Sequence, residues 1–161
     1  MDRVDQKILE VLQKRARIKT SEMARELNIP ATTLQERIRR LERNGTVKGY
    51  RAVIDPGKIG LGVQAFVAVT LDCHEANNIR NFEKSIKTMH NIKACYHLSG
   101  RFDYLLHLVA GDLEELGELV KTGITSLPDF GRCETHLVFS EIESSQTWPF
   151  PEETASGPLA G

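Results

Sequence analysis

Residues 31–43 restrict the fold more than any other part of the chain. Arg37, Arg39, Arg40 and Arg43 fall inside seven positions of a segment with helical periodicity. Leu34, Ile38 and Leu41 stand at i, i+4 and i+7 and must face a core. At about 100° per residue, Thr32, Glu36, Arg39, Arg40 and Arg43 then point away from it. A shorter segment precedes this one. It starts at Thr20, a candidate N-cap, buries Met23, Ala24 and Leu27, and stops at Asn28-Ile29-Pro30. A short helix, a tight turn and a cationic helix make a helix-turn-helix unit, whose second helix is shaped for the major groove. Asn44-Gly45 ends the second helix, with glycine suited to a left-handed residue past its end.

Charge separates this region from the rest. The formal net charge is -1, but residues 1–51 hold 13 Lys+Arg against 7 Asp+Glu, and residues 52–161 hold 8 against 15. The head carries +6 and the body -7. A positive head attracts phosphate, and an acidic body limits indiscriminate coating of nucleic acid. Cys73, Cys95 and Cys133 are odd in number and widely spaced, which argues against a zinc ribbon or a disulfide framework. No signal-peptide pattern and no apolar run of spanning length is visible, so no membrane role is expected and the expected compartment is the cytoplasm.

The periodicity predicts a first helix over residues 2–15, capped by Asp2, with Val4, Ile8, Val11 and Leu12 as its apolar stripe. Residues 46–54 read as an extended arm or β-hairpin, the wing of a winged-type domain, and residues 55–60 as a turn-rich hinge. Beyond the hinge the pattern changes. Strands are expected over residues 63–72, 92–99, 103–110 and 133–142, and helices over 77–89 and 112–123. Leu113, Leu116, Leu119 and Val120 are the expected buried face of the last helix. The order βαββαβ is that of a ferredoxin-like domain. The fold class is therefore α+β. A helix-turn-helix domain spans residues 1–52, a linker 53–60, a βαββαβ domain 61–143 and a tail 144–161. The last ten residues of the tail lack periodicity and are expected to be disordered. Trp148 is expected to pack the tail onto the sheet or onto a neighbour.

Several blocks resemble the leucine-responsive regulatory protein/AsnC family of regulators. They are Asp5-Gln6-Lys7-Ile8-Leu9, Arg37-Ile38-Arg39-Arg40-Leu41-Glu42-Arg43-Asn44-Gly45, Lys48-Gly49-Tyr50, Gly100-Arg101-Phe102-Asp103-Tyr104 and Leu127-Pro128. The resemblance runs from Val4 to about Glu143. It implies a DNA-binding head joined to an amino-acid-sensing domain. It also implies homodimers that assemble further into tetramers or octamers, with a ligand held between dimers. The chain departs from the family pattern at Pro30, where serine is usual, and at Asp129-Phe130-Gly131, where glycine and an aliphatic residue commonly follow the proline.

On this reading Thr32, Thr33, Gln35 and Glu36 reach base edges, while Arg39, Arg40 and Arg43 meet phosphates. The bland alternative is a solvated charged face with Glu36 and Arg40 as an i, i+4 pair. The partner is double-stranded DNA. Two heads about one turn apart, ~34–36 Å, require a roughly palindromic operator. The resemblance places the effector at Gly100, Arg101, Asp103 and Tyr104, completed by Cys133 and Thr135. Asp103 would take an ammonium, and Arg101 or backbone N–H groups a carboxylate. The bland alternative is a plain hairpin turn. His97, His107 and Cys95 could be read as a metal site, but no carboxylate cluster accompanies them, so neither a metal nor a cofactor is expected. A runner-up function is a siroheme-decarboxylase-like enzyme with the same layout. It would need a basic, histidine-containing pocket in a module that is acidic here.

Overall fold

The computed structural model describes residues 1–142 and 147–150. The chain divides into two compact units: residues 1–53 with residues 147–150, and residues 54–142. The expected disorder of the last ten residues falls outside the described residues.

The first unit is three helices, α1 (Arg3–Lys14), α2 (Thr20–Glu26) and α3 (Ala31–Arg43). Asp2 caps α1 in a reciprocal capping box with Asp5, which satisfies two of the backbone donors that a helix start leaves orphaned. Thr20 is the first residue of α2; Lys19 holds the cap position and no side chain caps it. Asn28 takes a left-handed φ of 52° between α2 and α3, a conformation asparagine tolerates. Ile8, Leu9, Met23, Ala24, Leu34 and Leu41 form the core, edged by Val4, Val11, Leu12, Ile38 and Val47. Gly45 ends α3 at φ 76°.

The expected wing does not form. Residues 46–54 contain no strand. An extended segment needs a partner for its backbone groups, and Gly49 at φ 151° breaks the extension. Val47 tucks against the helical core, and the Tyr50 hydroxyl bonds Glu42 at 3.0 Å. The described tail lies against the helical unit. Phe150 packs against the helical core while the Trp148 ring stays 81% exposed. The Gln13 side chain donates to the Trp148 carbonyl at 3.3 Å and accepts from the Trp148 N–H.

The second unit is a four-stranded antiparallel sheet in the order β2-β3-β1-β4, built from β1 (Val63–Leu71), β2 (Ile92–His97), β3 (Tyr104–Ala110) and β4 (Phe130–Leu137). Helices α4 (Ala76–Ile86) and α5 (Leu113–Glu118) connect the strands, and α5 runs on into a π-type turn, Leu119–Ile124. This is the ferredoxin-like order. Alternation sorts the strand residues. Ala65, Val67, Val69 and Leu71 of β1 and Tyr104, Leu106, Leu108 and Ala110 of β3 pack with Phe82, Ile86, Leu116 and Ile124 from the helices. Their neighbours Gln64, Phe66 and Ala68, with Leu105, His107 and Val109, point to the other face. Leu113 is 63% exposed rather than buried. Leu113 is the first residue of α5, and Leu116 and Ile124 carry the contact, with Leu119 and Val120 partly buried against it.

Candidate DNA-facing helix and effector turn

Pro30 holds the cap position of α3, and no side chain caps the helix. Proline brings no hydroxyl, so the N–H groups of the first turn point out with a favourable dipole for an anion. Thr32, Thr33, Gln35, Glu36, Arg39, Arg40 and Arg43 are all exposed. They are not equivalent. Among the described residues Arg39 has no ion-pair partner, and Arg43 pairs with Glu36 at 3.1 Å, both side chains open to solvent. Arg40 leans back to Asp5 of α1 at 2.8 Å. Arg37 pairs with Asp5 at 2.9 Å and Asp2 at 2.6 Å. The Arg37 bond, with help from the Asp5 N–H, pulls the Asp2 carboxyl below its ordinary range. The signal for these pairs was present as the i, i+3 spacing of Arg37 and Arg40 and the matching Asp2 and Asp5.

The six residues of the expected effector site do not converge within one chain. Tyr104 is 2% exposed and its hydroxyl donates to Glu83 at 3.1 Å. Burial, then the bond to Glu83, pushes its pKa up to about 12. Cys133 and Thr135 lie opposite Val69 and Val67, which puts them on the helix-covered face, and burial raises the Cys133 thiol. Arg101 instead reaches Glu134, the residue between them, opposite Ala68. A strand shows alternate residues to opposite faces, so Glu134 lies across the sheet from Cys133 and Thr135. The Arg101 guanidinium also lies 4.6 Å over the Phe102 ring. Gly100, at φ 127°, has nothing within 4 Å of where a side chain would begin.

Asp103 is a joint of the fold. One carboxylate oxygen accepts from the Leu71 N–H at 2.8 Å, and the other meets His74 Nε2 at 2.9 Å. Its own N–H donates to the Val69 carbonyl. Burial alone would raise its pKa, but the Leu71 and His74 bonds outweigh burial and carry it below the ordinary value. His97 stacks on Tyr104, and His107 stacks on Phe66. The two histidines therefore occupy opposite faces and cannot share an ion.

Comparison with known proteins agrees with this layout. The AsnC-type helix-turn-helix domain matches residues 1–42, and the Lrp/AsnC ligand binding domain matches residues 64–148. The HTH-type transcriptional regulator AldR of Mycolicibacterium smegmatis is 33% identical, over 90% of this chain and 85% of that protein. The leucine-responsive regulatory protein of Escherichia coli K12 is 32% identical, over 90% and 88%. A Neisseria meningitidis transcriptional regulator, solved as its L-Met complex, superposes with a TM-score of 0.88 at 27% identity, over 92% of this chain and 96% of that one. B. subtilis LrpC superposes at 0.78 with 33% identity, over 89% and 98%. These relatives are regulators, in keeping with the leading reading over the decarboxylase-like alternative. Among the described residues no helix is long and apolar enough to cross a membrane. A DNA-binding helix-turn-helix head and a ligand-binding sheet domain, matched in order along the chain, make this protein a member of the Lrp/AsnC family of transcriptional regulators.

Proposed function

We propose that this regulator works in the cytoplasm, where it reads a roughly palindromic operator as a homodimer and changes assembly or affinity when an amino acid binds. The first turn of α3, with Thr32, Thr33, Gln35 and Glu36, reads base edges. Arg39 and Arg43 take phosphates. The single observation that carries the DNA reading is the exposed cationic face of α3 inside a matched helix-turn-helix domain. Retardation of the protein's own promoter fragment, competed by an unrelated duplex, tests it. Equal competition by both would sink it.

The dimer covers the bare face of the sheet. That face carries the half-buried Phe66 and Leu105, with Tyr96 at 54% exposure. Beyond β4, Phe139 is 94% and Ile142 92% exposed. Burying a side chain of this kind is worth about 1.5–3 kcal/mol, and a second copy supplies a matching apolar face. Dimers assemble further into tetramers or octamers.

The effector is an amino acid held at the Gly100 turn. Arg101 offers a cation for its carboxylate and Glu134 an anion for its ammonium. These two side chains already attract each other, so a zwitterion satisfies both when it enters between them. Backbone donors near Gly100 complete the grip. What supports an amino acid is the charge pair itself and the L-Met complex of the Neisseria relative. A thermal-shift screen begins with L-methionine and runs through the other amino acids. A ligand at about 100 times Kd adds about 2.7 kcal/mol to stability. Glu134→Gln and Arg101→Gln should each abolish the shift. A shift that survives both would place the effector elsewhere, and no shift with any amino acid would leave an effector-free DNA-binding protein.

A further inference from the structure

Asp5 is, among the described residues, the one buried charged side chain, 2% exposed. It sits on α1 and faces α3. Its Oδ1 accepts from Arg37 Nη1 and Arg40 Nη2, both at 2.9 Å, and its Oδ2 accepts from Arg40 Nη2 at 2.8 Å and the Asp2 N–H at 3.2 Å. Asp2 adds a second carboxylate on Arg37 at 2.6 Å. Two carboxylates thus neutralise two guanidiniums, with the Arg37 side chain 26% and the Arg40 side chain 51% exposed. Arg37 and Arg40 are three apart, so they leave α3 on the same side. Arg39 leaves on the other.

We propose that Asp5 is a positioning residue for DNA recognition, which fixes the rotation of α3 against α1 and withholds Arg37 and Arg40 from phosphate. This rests on the reading that α3 faces DNA. The physical consequence concerns selectivity. Phosphate contacts supply essentially all of non-specific affinity, and each contributes about 0.9 to the salt slope. A helix with four free arginines binds every sequence well. Holding two of them leaves Arg39 and Arg43 for the backbone and hands more of the discrimination to the first turn of α3. The buried carboxylate does this without diluting the helix, since Asp5 holds Arg40 through Nη2 with both its oxygens and shares Arg37 Nη1 with Asp2.

The test measures Kd for operator and for an unrelated duplex between about 50 and 200 mM salt. The proteins compared are the full-length parent, Arg39→Gln, Arg40→Gln and Asp5→Asn. Arg39→Gln should lower the log–log slope by about 0.9, whereas Arg40→Gln should leave it unchanged. Asp5→Asn should steepen it by up to about 1.8, so that the affinity lost between the two salt concentrations grows about tenfold. Binding to the unrelated duplex should tighten and the ratio between duplexes should fall. A merely structural Asp5 would weaken binding to both duplexes with the slope flat or shallower, and that result overturns the proposal. Circular dichroism monitors folding of Asp5→Asn. Should that variant lose its helices, the Arg40→Gln slope decides alone, and a drop equal to that of Arg39→Gln overturns the proposal. An unchanged slope for Arg39→Gln would instead remove the DNA-facing assignment of α3, and the proposal with it.

Discussion

The His107 imidazole stacks on the Phe66 ring, with centroids 4.7 Å apart and planes 27° from parallel. His107 Nε2 meets Gln64 Oε1 at 2.8 Å. Both rings lie on the face of the sheet that no helix covers. Burial, then the charge of Lys93, lowers the His107 pKa from 6.5 against a weaker opposing pull from Glu141.

A lowered histidine pKa has a definite sign. The unfolded chain takes up a proton first as pH falls. The stabilisation is therefore complete above about 6.5 and drains away as pH falls toward the folded value. Thermal unfolding followed from about pH 7.5 to about pH 5 should show a decline in Tm that His107→Gln flattens. An identical decline in the variant would assign the effect to other groups.

Phe66→Glu places a charge on the same face, where two copies would bring like charges together. The variant should sediment as a monomer at concentrations where the parent is a dimer. The head should then lose operator affinity by at least about tenfold, because one recognition helix contacts too few bases. A dimeric Phe66→Glu would move the interface off this face.

Asp103 holds the end of β1 through the Leu71 N–H and His74. Asp103→Ala leaves that N–H without a partner and should cost about 1–3 kcal/mol in urea unfolding. Asp103→Asn keeps an acceptor and should cost about 1 kcal/mol. The depressed carboxyl stabilises the fold above its unfolded value of 3.8, and that contribution is lost as pH falls through the folded value. Acid titration of Asp103→Asn should lack that component. Retention of the full acid limb would place the linkage elsewhere.

Phe150 packs on the helical core and Gln13 grips the backbone beside it. Phe150→Ala should lower stability by about 1–2 kcal/mol, and Gln13→Ala by about 1 kcal/mol. Hydrogen exchange should speed up in α1 in both cases. Unchanged exchange in α1 would mean that the tail contact adds nothing to the helices.

Much of this was legible in the sequence. The limits of α3 followed from the Leu34, Ile38 and Leu41 stripe and from the stop at Asn44-Gly45. The sheet order followed from strands alternating with amphipathic helices. Four features were not legible, each for a physical reason. Residues 46–54 have the composition of a strand but no neighbour to pair with. Leu113 falls out of the core because it is the first residue of α5, where the helix starts at the surface beside its cap Asp112. The Arg101 partner on β4 turned on a one-residue offset that alternation alone could not fix, since Glu134 stands between Cys133 and Thr135. Asp5 had no role in the sequence beyond its place in a matched block of the first helix. Its two arginines are 32 and 35 positions away in sequence, and only folding brings them together.

The helical unit holds residues from both sides of the sheet unit in sequence: the chain leaves it after Val53, and Trp148 and Phe150 lie against α1 and its core. In topological terms the sheet unit is an insert, and the DNA reader is its host. Exchange of sensors between relatives therefore calls for an internal cassette with two junctions. A chimera spliced at a single point would bring a foreign chain end, and the host would forfeit the contacts of Gln13 and Phe150.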